Sequence, residues 1–249
     1  MSQTLTPDLC VIGAGSGGLS VAAAGAQLGA DIVLVEKGKM GGDCLNTGCV
    51  PSKALLAAAK RAHQIATSDE FGIKSTTPKV DFPKVMAHVQ DVIAQIAPND
   101  SVERFSGLGV QIIEAPGSFK DARTVIAGDY EIRARRFVIA TGSAAALPPV
   151  SGLDQVDYLT NENIFELQEL PDHLLVIGGG PIGMEMAQAF RRLGSKVTVL
   201  EAFTPFAKDD PEASSVVMKQ LLAEGIEIHS ETRVERVEQG DNGIVAHIS

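Results

Sequence analysis

Leu9-Cys-Val-Ile-Gly-Ala-Gly-Ser-Gly-Gly18 is the stretch that decides the fold. Its four leading apolar residues fit a short strand buried on both faces of a parallel sheet. Gly13, Gly15 and Gly18 then follow in the spacing G-x-G-x-x-G. The first glycine permits a tight turn, the second lets backbone approach a pyrophosphate, and the third lets the next helix lie close to the strand. The N-terminus of that helix offers unpaired N–H groups and partial positive charge to phosphates. An Ala-rich helix is expected over Leu19–Leu28, closed by Gly29 as a left-handed cap, before a second strand over Asp31–Val35. Glu36 follows that strand, 18 residues past the third glycine (36 − 18), where it can accept both ribose hydroxyls.

The same unit recurs. Leu174-Leu-Val-Ile-Gly-Gly-Gly-Pro-Ile-Gly183 carries Gly178, Gly180 and Gly183, and the offset is constant, since 178 − 13 and 201 − 36 both equal 165. A helix over Ile182–Leu193, Gly194, a strand over Lys196–Leu200 and Glu201 complete the copy. Two units this far apart are not a solenoid; they predict two dinucleotide sites. A carboxylate at Glu201 favours a free 2′-hydroxyl and repels a 2′-phosphate, and Ala202, Phe203 and Thr204 bring no Arg, so NAD(H) is expected over NADP(H).

The surroundings narrow the function classes. Of 249 residues, 45% are hydrophobic, enough core for one large domain or two ordinary ones. Thirty-one acidic residues against 21 basic ones give a net charge of −10 with no basic run, so no nucleic-acid partner is expected. The most apolar stretch, 9–30, is broken by glycines, and the first basic residue is Lys37, so neither a membrane span nor a signal peptide is expected. The expectation is a soluble, cytoplasmic protein. Phe82–Phe105 has helical spacing with a break at Pro98-Asn99. Val110–Ile113, Thr124–Ala127, Tyr130–Arg133 and Phe137–Ala140 read as strands of an antiparallel excursion, with Gly128-Asp129 turning the middle pair. Thr141 and Gly142 end the last of these, where backbone can meet a cofactor, and Pro148–Gly152 is the natural linker.

Gly41-Gly-Asp-Cys-Leu-Asn-Thr-Gly-Cys-Val-Pro-Ser-Lys53 lies just after the first unit and before an Ala-rich helix over Ala54–Ala66. Cys44 and Cys49, with four residues between them, can be structural, metal-binding or redox-active. A metal needs more ligands, and His63 reads better as an ordinary helix residue. Redox chemistry fits better, on one condition. On a regular helix the two Cα atoms would stand about 7.5 Å apart along the axis, whereas a disulfide wants them within roughly 7 Å. The segment must therefore be distorted, and Gly48 and Pro51 permit that. A thiolate there gains from a helix N-terminus and from a cation such as Lys53. Cys10 sits in a buried strand and reads as a core residue.

These motifs together resemble the class I pyridine nucleotide–disulfide oxidoreductases, across essentially the whole chain. The resemblance implies an α/β fold with two Rossmann-like dinucleotide-binding domains. Residues 1–148 would bind FAD through Gly13, Gly15, Gly18 and Glu36, with Gly42, Asp43, Thr141 and Gly142 near its diphosphate or flavin. Residues 149–249 would bind NAD(H) through Gly178, Gly180, Gly183 and Glu201. Cys49 would adjoin the flavin and Cys44 would exchange with the substrate, while Lys53 would approach the flavin and pair with Glu185. Within the family the favoured likeness is dihydrolipoyl dehydrogenase, acting on a small-molecule disulfide or dithiol of lipoyl type. A mercuric reductase-like oxidoreductase is the enzyme alternative, and a dinucleotide-binding protein without turnover is the non-enzyme one.

The chain also departs from the family pattern. Pro181 stands where a gating Tyr is often found. The resemblance implies that the C-terminal dimerisation domain, with its His–Glu acid–base pair, is absent from the 249 residues, although full-length members are homodimers. General acid–base help is commonly worth 10²–10⁴-fold, so slow turnover is the corresponding expectation.

Overall fold

The structure is a computed structural model and describes residues 3–241 and 243–249. In chain order its strands and α-helices are β1 (Gln3–Leu5), β2 (Leu9–Ile12), α1 (Ser16–Gln27), β3 (Ile32–Glu36), α2 (Gly42–Asn46), α3 (Cys49–Ala66), α4 (Phe82–Ile96), α5 (Val102–Gly107), β4 (Gln111–Glu114), β5 (Gly117–Asp121), β6 (Thr124–Ala127), β7 (Tyr130–Ile132), β8 (Arg136–Ile139), β9 (His173–Ile177), α6 (Pro181–Leu193), β10 (Lys196–Leu200), α7 (Pro211–Ala223), β11 (Glu227–His229), β12 (Val234–Gly240) and β13 (Gly243–Ile248). They fall into two compact units. One holds Met1–Pro51 and Gln90–Ala144, the other Ser52–Val89 and Ala145–Ser249.

The first unit is built on a parallel sheet of order β4-β3-β2-β8. Its apolar runs are continuous because both faces are covered. Cys10, Ile12, Val33 and Val35 enter one core with Val125, Ala127 and Ile132. The alternate residues Val11, Ile32 and Leu34 enter a second core with Leu19 and Ala22 of α1 and Phe105 of α5. Successive strand side chains point to opposite faces, so each run feeds both cores. Full burial stabilises by about 1.5–3 kcal/mol for each Val, Leu or Ile.

The second sheet of this unit has the order β1-β7-β6-β5, antiparallel from β5 to β7, with β1 added parallel to β7. This corrects the expected excursion. The segments read as its outer strands, β4 and β8, belong to the parallel sheet, and β5 supplies the third antiparallel strand. The sequence pattern hides β5 because every residue of Gly-Ser-Phe-Lys-Asp is exposed, so there is no apolar alternation to read.

The second unit carries a parallel sheet of order β11-β10-β9 and an antiparallel β12–β13 hairpin. Helix α6 buries Met184, Ala187, Phe190 and Leu193, and Phe82 of α4 meets Phe190 with ring centroids 5.9 Å apart. A polar clamp ties α6 to the end of α7. Arg192 Nε and Nη2 donate to the two Glu224 carboxylate oxygens at 2.7 and 2.6 Å, and Gln188 and Gln220 donate to the same group. Among the described residues no helix is long and apolar enough to cross a membrane.

Candidate functional site

The repeat found in the sequence is a repeat of hydrogen bonds. Gly13 N–H donates to Val35 O at 2.8 Å, and Gly178 N–H to Leu200 O at 2.9 Å. Glu36 accepts from Ala14 N–H at 2.5 Å and from Gly38 N–H at 2.7 Å, one donor per oxygen. Glu201 accepts from Gly179 N–H at 2.6 Å and from Phe203 N–H at 2.8 Å. Gly41 N–H donates to Ala14 O, and Phe206 N–H to Gly179 O, both at 2.9 Å. Every pair differs by 165 residues, so the repeat runs on to Gly41 and Phe206 (206 − 41). Both of these are left-handed, at φ 86° and 55°. The turn demands that conformation, and the second unit meets the demand with a phenylalanine.

These bonds fix both carboxylates at the C-terminal ends of β3 and β10. Each oxygen keeps a lone pair for a ribose hydroxyl. Helices α1 and α6 start directly after Gly15 and Gly180, with no side chain capping either. No side chain therefore takes up their first-turn N–H groups, an arrangement of the kind that binds phosphate. Pro181 costs nothing at the first helical position, where no intrahelical acceptor exists. The third glycine of each motif has no room for a Cβ. One added at Gly18 would sit 1.8 Å from Gly13 O, and one at Gly183 would sit 2.6 Å from Gly178 O.

In the first unit the cysteine segment is seated on the glycine loop. A Cβ at Gly42 would lie 2.6 Å from Gly15 Cα, so α2 begins in backbone contact with the loop. Gly13 packs on the backbone of Ala140 and Thr141, and the Asp43 carboxylate would be 3.9 Å from a Cβ at Gly142. Gly13, Gly15, Gly42, Asp43, Thr141 and Gly142 thus gather at the C-terminal ends of β2 and β8. That is the side of a parallel sheet where ligands bind.

The chain breaks between α2 and α3 at Thr47-Gly48. Helix α3 starts at Cys49 rather than at Ala54, because Pro51 falls in its first turn, where a missing N–H breaks no bond. The break lets Cys44 and Cys49 face each other. No disulfide joins them in this structure. The Cys44 thiol is pushed above its ordinary pKa by its hydrogen bond to Cys49, then by burial and by charge on Cys49. Cys10 lies in the core, its thiol pushed up to about 11 by burial.

In the second unit Lys53 Nζ holds both carboxylate oxygens of Glu185, at 2.7 and 2.6 Å. The side chains are 61% and 41% exposed, so the pair adds little stability. What it does is fix the position of an ammonium four residues after Cys49 on the same helix. Sequence reasoning passed over Gly38, Phe203 and Phe206 as partners of the two carboxylate loops. Extending the repeat alignment by five residues beyond Glu36 and Glu201 would have found them.

The family profile described as pyridine nucleotide-disulphide oxidoreductase matches residues 7–248. A mercuric reductase of Streptomyces lividans is 39% identical over 97% of this chain and 52% of its own length. A dihydrolipoyl dehydrogenase of Bacillus subtilis (strain 168) is 34% identical over 93% of this chain and 52% of its own. The HOCl-induced flavoprotein disulfide reductase RclA from Escherichia coli superposes with a TM-score of 0.83 at 26% identity, over 96% of this chain and 52% of its own. The chain spans about half the length of these curated relatives.

Proposed function

Because the chain belongs to the pyridine nucleotide-disulphide oxidoreductase family, we propose that it passes electrons between a nicotinamide dinucleotide, FAD and the Cys44–Cys49 pair. The carrying observation is that the segment bearing Cys44 and Cys49 has its Gly42 seated against Gly15 of the first glycine loop, with Cys49 acting on the Cys44 thiol. FAD would occupy residues 1–148, its ribose on Glu36, its diphosphate at the N-terminus of α1 and its flavin by Thr141 and Gly142. The nicotinamide dinucleotide would occupy residues 149–249, with its ribose on Glu201. Bound FAD would supply the two-electron chemistry that links nicotinamide to sulfur.

The protein's own share is thiol chemistry and electrostatics. Cys44 gives up its proton and attacks one sulfur of the substrate disulfide, and the other sulfur leaves and takes a proton. Cys49 then attacks the Cys44 sulfur of the mixed disulfide. That releases the second substrate thiol and leaves Cys44 and Cys49 oxidised. Lys53, oriented by Glu185, supplies positive charge that stabilises reduced, anionic states.

For the substrate, a lipoyl-type disulfide is favoured by the likeness to a dihydrolipoyl dehydrogenase over 93% of this chain. Mercuric ion is the second reading, favoured by the 39% identity to a mercuric reductase against 34% to a dihydrolipoyl dehydrogenase. The test is NADH oxidation by FAD-loaded protein with lipoamide or with Hg(II)–thiol complex, in wild type and Cys49→Ser. The variant should lose turnover with either acceptor. Unchanged turnover would remove the cysteine pair from the reaction.

A further inference from the structure

Phe203 is 65% exposed, and the Arg233 guanidinium carbon lies 5.6 Å from its ring centroid. Among the described residues no carboxylate pairs with Arg233, and its guanidinium lies over the Phe203 ring. A guanidinium stacked on a ring has its plane held while its N–H donors stay available.

Its place is fixed by the backbone. Thr232 N–H donates to Glu201 O at 2.9 Å, Glu231 N–H to Phe203 O at 3.0 Å, and Glu201 N–H to His229 O at 2.9 Å. Residues 229–233 are stapled to 201–203 at the C-terminal ends of β10 and β11. Phe203 also donates its own N–H to the Glu201 carboxylate. Ring, guanidinium and ribose-binding carboxylate therefore share one edge of the second site. The first site lacks this device, because Gly38 stands where the repeat has Phe203 (203 − 165).

We propose that Arg233 is a specificity-determining residue of the second dinucleotide site. Held by Phe203, it receives the 2′-phosphate of NADP(H) and offsets the repulsion from Glu201, so the site takes NAD(H) and NADP(H) alike. A guanidinium offers a phosphate paired, charge-assisted hydrogen bonds, which an unopposed carboxylate at this position would forbid. The inference rests on reading Gly178 to Glu201 as a dinucleotide site. It adds to the expectation drawn from residues 202–204 an arginine that arrives from residue 233.

Calorimetric titration of the FAD-loaded full chain with 5′-AMP and with adenosine 2′,5′-bisphosphate tests it. Wild type should bind both, within about tenfold of each other, or about 1.4 kcal/mol. Arg233→Ala should weaken the bisphosphate by about tenfold or more and 5′-AMP by less than about twofold, the size of losing a charged hydrogen-bond partner. Arg233→Lys, which keeps the charge without the stack, should fall between. Equal weakening of both nucleotides, or no change in either, would reduce Arg233 to a packing residue and overturn the proposal. Binding of 5′-AMP but not the bisphosphate by wild type would also overturn it while leaving the dinucleotide site intact. Binding of neither would bring down the dinucleotide site itself.

Discussion

Replacing Gly42 by Ala strikes the contact that seats the cysteine segment on the glycine loop. Two costs add. Gly42 has φ 56°, a conformation that costs an L-residue about 1–2 kcal/mol. The new Cβ would also sit 2.6 Å from Gly15 Cα, so α2 or the loop must yield by roughly 1 Å. Overpacking of that kind costs about 1–3 kcal/mol. The sum is about 2–5 kcal/mol. Gly29→Ala provides the control. Gly29 is also left-handed, at φ 80°, but nothing lies within 4 Å of its Cβ position, so only the first cost applies. Urea unfolding of the FAD-free proteins measures both. FAD affinity should fall by about tenfold or more for Gly42→Ala, or about 1.4 kcal/mol, and hold for Gly29→Ala. Equal destabilisation of the two variants, or full FAD affinity in Gly42→Ala, would refute the reasoning that this backbone contact couples the cysteines to the loop.

The Arg192–Glu224 clamp is more buried, with side chains 15% and 5% exposed. Arg192→Met should cost about 2–3 kcal/mol, below the ~3–5 typical of a broken buried pair, because Gln188 and Gln220 still donate; chemical denaturation reads it. Burial raises the Glu224 pKa, but the Arg192 and Gln220 hydrogen bonds outweigh it and hold the carboxyl below its ordinary value. A depressed carboxyl stabilises above its unfolded pKa and loses that contribution as pH falls through the folded one. Wild-type stability should therefore drop below about pH 4.3, and Arg192→Met should flatten that drop in thermal melts across pH. Phe206→Asn keeps a residue that tolerates the left-handed turn, and should raise the melting temperature by the equivalent of up to about 1 kcal/mol; a loss of more than that would show that ring packing outweighs backbone strain.

Much of the fold was legible because both units are local. Strand β2, strand β10 and the two helix starts follow from short apolar runs and glycines within about thirty residues. A redox pairing of Cys44 and Cys49 demanded a distorted chain, and Thr47-Gly48 breaks the helix between them. What escaped depended on distant neighbours. Strand β1 is three residues long and exists through its pairing with β7, 127 residues later (130 − 3). The roles of β4 and β8 are set by which strand they lie beside, and an apolar run does not encode that. Arg233 sits near Glu201 only because β11 returns next to β10.

In the proposed reaction Cys44 and Cys49 share electrons with FAD held at the Gly13 loop. Counting the NADH needed to reduce the FAD-loaded, air-oxidised protein under anaerobic conditions tests it most directly. Flavin and disulfide each take two electrons, so wild type should consume two equivalents and Cys49→Ser one. One equivalent for wild type, or two for the variant, would separate the cysteine pair from the flavin.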